Sequence, residues 1–128
     1  MMGAGKTGLE GFKNTQGGRE NARANAVIHQ GKQDKHIEGS NNFKQQVAQG
    51  KTPSVLTADP HALLKEAAGR GTPIQNAPNK ERFDFGRVIG RYVDSNGRSH
   101  DTTRVTIHYD GRGNAHIVPA RPSSIGDY

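Results

Sequence analysis

Between Val27 and Pro119 the apolar residues are spaced in two ways, and the change from one to the other divides the chain. As far as Gly69 the spacing is helical. Ser40 is placed to cap a helix over 41–49, with Phe43 and Val47 four residues apart on its buried side and Gly50 ending it. A second helix over 60–68 is marked by Asp59 as cap, Pro60 at the first helical position, a stripe of Leu63, Leu64 and Ala67, and Gly69 as the stop. Ahead of both, VIHQGKQDKHIEGSNNF reads as a short extended segment followed by a polar turn at 38–41. After the connector GRGTPIQNAPNKER, alternation with period two predicts strands over 83–93, 103–109 and 114–119, separated by DSNGRSHD and DGRGN. Helices followed by an antiparallel meander give an α+β class, with N-terminal helices packed on a small antiparallel β-sheet.

The last two strands form a hairpin whose register is set by its pattern. Val105, Ile107 and Tyr109 form one apolar set, and Ala115 and Ile117 the other. Both sets must face one core, so Tyr109 should lie opposite Ala115 and His108 opposite His116, joined by a three-residue loop of Gly111, Arg112 and Gly113. The two histidines then share the other face with Thr106. Two groups titrating near neutral pH on one surface can begin acid/base chemistry, although such a face is also commonly just solvated. A two-histidine, one-carboxylate metal set of His108, His116 and Asp110 is a further reading, but Asp110 belongs to the turn and no strong spacing motif supports it. In the 83–93 strand the pattern is mixed and leaves the buried face open. Arg87 or Arg91 could reach the polar face and bind phosphate in bidentate fashion, or could be solvated on an edge strand.

Composition narrows the chemistry. In 128 residues, 30% hydrophobic with 17 glycines and no tryptophan, the core is modest. Residues 1–26 hold only scattered apolar groups, which suggests a linker with a short helix near 19–26; one folded domain then spans 27–122, with a tail at 123–128. GAGKTG near the start lacks the preceding glycine and strand that a phosphate loop needs. Eighteen Lys and Arg against 12 Asp and Glu give a net charge of +6, which favours a polyanionic partner: nucleic acid, an anionic membrane or an acidic protein. Without cysteine there is no disulfide and no thiolate nucleophile, so the chemistry belongs to oxygen and nitrogen groups. No apolar run reaches the length of a membrane span, and no export signal is expected in the chain itself.

KHIEGSNNF at 35–43, GKTPSVLTADPHALLKEAAGRGTPI at 50–74, FGRVIGRYVD, and TTRVTIHYDGRGNAHIVPARP resemble, in this order, the bacterial polymorphic toxin type 50 domain. The resemblance covers about residues 27–122, and KHIxG with IHYxxxGxAHIVPAxP are its most specific parts. It implies a fold of the barnase, EndoU, colicin and RelE-like ribonuclease group, carried at the C-terminal end of secreted or contact-dependent inhibition effectors. It further implies a metal-independent endoribonuclease without cofactor, with transfer RNA a candidate substrate. Such a toxin is delivered as part of a larger effector, acts in the target-cell cytoplasm, and is monomeric apart from a complex with a cognate immunity protein, for which the basic charge predicts an acidic surface. The matching positions nominate His36 with Lys35 and Thr103 with His108 and His116. His36 and His116 are the expected acid/base pair, with His108 in reserve. Lys35, Arg87, Arg91, Lys51 and Ser54 are expected to bind the substrate phosphate, Thr103 to donate a hydrogen bond to it, and Tyr109 to contact the substrate. The stretch KQQVAQ and the aspartate at 110, where the family pattern has serine, are departures that bear on substrate preference. The competing readings are a metal-dependent nuclease, an RNA-binding module using Phe83, Phe85 or Tyr109 for stacking, and a membrane-active toxin, which helices this short disfavour.

Overall fold

The computed structural model describes residues 23–125. Most of the expected linker, the GAGKTG stretch and the last three residues of the tail lie outside the described residues; of the helix expected near 19–26, Arg23 and Ala24 are helical. In chain order the elements are β1 (Val27–Ile28), α1 (Gln30–Gln33) running into a 3-10 turn (Asp34–His36), α2 (Asn41–Ala48), β2 (Val55–Leu56) and α3 (Pro60–Ala67). They are followed by β3 (Thr72–Ile74), β4 (Ala77–Asp84), β5 (Gly90–Val93), β6 (Ser99–Thr102), β7 (Arg104–Tyr109) and β8 (Asn114–Pro119). The class is α+β, as the spacing predicted.

The strands form two sheets rather than one meander. A five-stranded sheet has the order β1-β8-β7-β4-β3, antiparallel except where β1 runs parallel to β8, and a three-stranded antiparallel sheet has the order β2-β5-β6. The 83–93 strand is therefore a correction. Its first part ends β4, and the chain then leaves that sheet through Gly86, at φ +71°, whose N–H is held by Asp84 Oδ1 at 2.8 Å. Phe85 and Ile89 are buried while Arg87 and Val88 are exposed, a spacing of four that belongs to a crossing segment rather than a strand. The connector is corrected too, since most of it is the β3–β4 hairpin, turned at Asn76 with φ 64°. Where the second sheet is joined to its short strand β2, a side chain on Gly90 would place Cβ 2.3 Å from the carbonyl oxygen of Val55. Backbone packed so closely admits only hydrogen at that position.

Helix α3 forms as its signals predict, with Asp59 accepting from the His61 N–H at 3.1 Å, Pro60 at the start and Gly69 at φ +76° beyond the end. Its buried Leu63, Leu64 and Ala67 join Leu56, Phe85, Ile89, Val105, Ile107, Tyr109, Ala115 and Ile117 in the core. Helix α2 behaves differently. Ser40 caps it as expected, accepting from Phe43 N–H at 3.1 Å, but Phe43 is half-buried and Val47 is 52% exposed. It rests on α1 and the 3-10 turn, where Asn42 donates to the Gly31 carbonyl at 2.7 Å, and so does not reach the sheet core.

Candidate active site

The β7–β8 hairpin has the register its alternation requires: Tyr109 pairs with Ala115, Ile107 with Ile117, and His108 with His116. Asp110 N–H and the Asn114 carbonyl close the three-residue loop at 2.9 Å, and Gly113 takes the left-handed conformation at φ +83°. His108 and His116 stack with ring centroids 4.6 Å apart and planes 23° from parallel. On the neighbouring strand Lys80 is the partner of His108, so Lys80, His108 and His116 form one row across three strands.

His36 arrives from the other end of the domain. The geometry that brings it depends on Gln33, which is fully buried and bonded through both amide atoms to one residue of β8: Nε2 donates to the Ile117 carbonyl at 2.8 Å, and Oε1 accepts the Ile117 N–H at 2.7 Å. Those groups would otherwise be unpaired where β1 stops, because β1 pairs only with Asn114 and Ala115. The glutamine thus continues the ladder and fixes α1 against the histidine strand. His29 caps that helix, its Nδ1 accepting from Lys32 N–H at 3.3 Å. The 3-10 turn then presents His36, whose Nδ1 lies 2.9 Å from the Ser54 carbonyl oxygen. Since a carbonyl only accepts, Nδ1 carries the hydrogen and Nε2 is left with a lone pair.

The electrostatics of the cluster are those of imidazoles held neutral. Burial pushes His108 down to about 4, reinforced by the charges of Lys80, His36 and Lys32. His116 is likewise depressed to about 4, by burial first and then by His108, His36, Lys32 and His29. His36 is lowered by burial and by Lys35, against the opposing effect of its bond to Ser54. Because folding depresses these pKa values, the unfolded chain takes up protons as pH falls through about 6.5 while the folded chain does not. Stability is complete above that pH and is lost progressively from about 6.5 toward 4. The thermal midpoint is therefore expected to fall between pH 7 and pH 5, above the range in which carboxylates such as Asp94 and Asp110, themselves held low, begin to matter. Substituting both hairpin histidines by glutamine should flatten that part of a calorimetric pH series; an unchanged slope would show that they are not its source.

The other expected site residues are spread over the fold, some of them against His36 and others apart from it. Lys35 is exposed beside His36, and Lys51 is exposed beyond α2. Ser54 is buried and acts as a support: its carbonyl orients His36 and its Oγ accepts the Val93 N–H at 2.9 Å. Arg91 pairs with Glu38 at 3.5 Å, just after the KHI turn. Arg87 is on the helix side, bound to Glu66 of α3 through both terminal nitrogens at 2.9 and 3.2 Å. Thr103 precedes β7, five residues from His108 and so on the order of 16 Å along a strand. The Tyr109 side chain belongs to the core face, where its hydroxyl donates to Glu81 Oε1 at 2.8 Å and accepts the Gly69 N–H at 3.0 Å, and burial pushes its pKa up. Asp110, the carboxylate of the metal reading, accepts the N–H groups of Arg112 and Asn114 at 2.8 and 2.9 Å within the turn. Among the described residues no group of three or more His, Asp or Glu is arranged to hold a metal ion.

Lys32, Lys80 and Gln33 are the members that sequence reasoning missed. A signal existed for the first: His29, Lys32 and His36 follow the i, i+3, i+7 spacing of one helical face, but the helix between them is only four residues long. Nothing in the sequence distinguishes Gln33 from the other glutamines around it.

Among the described residues no helix is long and apolar enough to cross a membrane. Comparison with curated proteins and comparison with solved structures give no match to the chain. A family model described as bacterial toxin 50 matches residues 28–119, from the strand that enters beside β8 to the last residue of the histidine hairpin. With both histidine segments and everything between them inside that match, the chain belongs to the bacterial toxin 50 family.

Proposed function

We propose that this toxin domain is a metal-independent endoribonuclease. The observation that supports the reading is the stacked pair of His108 and His116, in one row with Lys80 and in one depression with Lys32, with His36 near enough to lower the pKa of both. RNA needs no external nucleophile, because its own 2′-hydroxyl attacks the adjacent phosphorus. The protein must accept one proton, supply another and stabilise negative charge on the phosphorane oxygens. The lone pair on His36 Nε2 accepts the 2′-hydroxyl proton as the 2′-O–P bond forms. His116 gives a proton to the 5′-oxygen as the P–O5′ bond breaks, leaving a 2′,3′-cyclic phosphate and a free 5′-hydroxyl. An imidazole with a low pKa in the free protein is charged more readily once a phosphate anion lies against it, so substrate binding itself prepares the acid. His108 stacks on His116 and holds its plane, while Lys32 and Lys80 face the phosphate.

A domain of this kind serves in competition between bacteria, carried into the target cell on a larger effector and acting on cytoplasmic RNA. The producing cell is protected by an immunity protein whose acidic surface covers the basic histidine face. Mapping the ends of RNA cut by the purified domain tests the chemistry. Cyclic phosphate and 5′-hydroxyl ends are expected, unchanged by EDTA, with DNA of the same sequence left intact for want of the nucleophile. Activity that disappears on chelation and returns with a divalent cation would overturn the mechanism in favour of a metal-dependent nuclease.

A further inference from the structure

The histidine surface opens into a cavity that the acid/base chemistry does not use. A depression of about 280 Å³ contains His29, Lys32, His108 and His116, and beside it lies one of about 540 Å³ containing Arg23, Ala26 and Pro78. Asn79, Tyr109, Asp110 and Asn114 line both, so the two are compartments of one continuous groove. Their electrostatic characters differ. The histidine compartment has Lys32 in it and Lys80 beside it, and suits an anion. In the larger compartment the one guanidinium among the described residues, that of Arg23, is already bonded to Glu81 Oε2 at 2.6 Å and to the Pro78 carbonyl, so it is committed within the protein rather than offered to a phosphate.

We propose that this larger compartment is the subsite for a nucleobase, that of a nucleotide joined to the cleaved phosphate, and that Asn79 determines which base is accepted. The proposal rests on the ribonuclease reading for its orientation. Its walls are planar or apolar: the Arg23 guanidinium lies 4.7 Å from the centre of the Tyr109 ring, with Pro78 and Ala26 beside them. Stacking against such a wall is favourable for any base and selects none. Selection requires a hydrogen-bonding edge, and most of the polar groups present are occupied. The Asp110 carboxylate holds the turn and accepts from the Asn114 side chain as well as from the backbone. Asn79 is different. It is exposed at the boundary of the two compartments, and among the described residues its amide has no hydrogen bond. A carboxamide offers a donor and an acceptor side by side, which is the pattern needed to pair with one base edge and refuse another. On β4 the Asn79 side chain takes the side of Glu81 and Tyr109 while Lys80 takes that of His108, so a nucleotide whose base is read at Asn79 reaches the histidines around the hairpin end, where Asp110 and Asn114 line both compartments.

Two measurements test this, one of which does not require cleavage. The four nucleoside 3′-monophosphates are titrated into the protein while the backbone amides of Asn79 and Asn114 are followed by NMR. One base is expected to bind about tenfold or more tightly than the others. In Asn79→Ala that preference should vanish while the thermal midpoint stays unchanged, as suits an exposed side chain. Equal affinity for all four in the native protein, or a preference that survives in N79A, overturns the proposal. In the second measurement, kcat/KM is compared over dinucleotide substrates differing only in the bases flanking the scissile bond. Loss of discrimination in N79A, and an altered base preference in Asn79→Asp, support the subsite. A native domain that cuts RNA with the same base preference as N79A refutes the subsite and leaves the ribonuclease reading standing, whereas a domain that binds one monophosphate selectively but cuts nothing refutes the ribonuclease reading alone.

Discussion

Replacing His116 with alanine is expected to lower RNA cleavage by about 10²–10⁴-fold, the range for loss of one proton-transfer group, while changing the thermal midpoint by no more than a few degrees. The asymmetry follows from where the side chain sits. The ring is half-buried on the open face of β8, in contact with His108 and outside the apolar core, so its removal leaves no cavity among the packed residues. Its removal also takes away a group whose neutral state the fold enforces, so the variant should lose less stability than the native protein when moved from pH 7 to pH 5. His36→Ala should be as inactive. His108→Ala should retain more activity and shift the acid limb of the pH–rate profile, because His108 acts on its stacked neighbour. Near-native turnover by His116→Ala, with the fold intact, would remove this residue from the reaction.

Gln33→Leu is expected to be the most damaging single change outside the core. The leucine fits roughly the same volume, yet the N–H and carbonyl of Ile117 are left buried without partners. At about 1–3 kcal/mol for each of the two unsatisfied groups, the loss amounts to about 2–6 kcal/mol, a large share of the stability of a small domain. The effect should also reach catalysis, since α1 and the turn bearing His36 are tied to β8 through this side chain. Gln33→Glu is the informative companion. It keeps an acceptor for the Ile117 N–H but turns a second oxygen toward the Ile117 carbonyl, so it should fall between the native protein and Q33L. Urea midpoints for the three proteins decide the matter, and a change below 1 kcal/mol in Q33L would show that the clamp contributes little.

The hairpin was legible because two constraints agreed: opposed apolar sets fixed its register, and a loop of the right length could supply it. Helix α3 was legible for a similar reason, with cap, proline, stripe and glycine all present. Strand β4 was not, and the cause is chemical. The residue it buries between Lys80 and Arg82 is Glu81, which is 4% exposed and bonded to Tyr109 and Arg23. A strand whose core-facing position holds a carboxylate shows no apolar alternation, so it read as a polar connector. The opposite error occurred at 85–89, where Phe85 and Ile89 fit period two as well as period four. In the site itself, the facing of His108 and His116 came from pattern, and the nomination of His36 came from family resemblance. The bonds that hold His36 in place, through Gln33 and Ser54, are made by polar residues whose partners lie far along the chain and leave no local trace.

Gln33 and Ile117 are separated by 84 positions in the chain. Closing so long a loop comes late in folding, and architectures dominated by such distant pairings fold slowly. During synthesis the turn bearing His36 leaves the ribosome well before the hairpin that completes the trio has been made. A growing polypeptide therefore displays one imidazole without its counterparts, and the assembled surface comes into existence only after translation of nearly the whole domain.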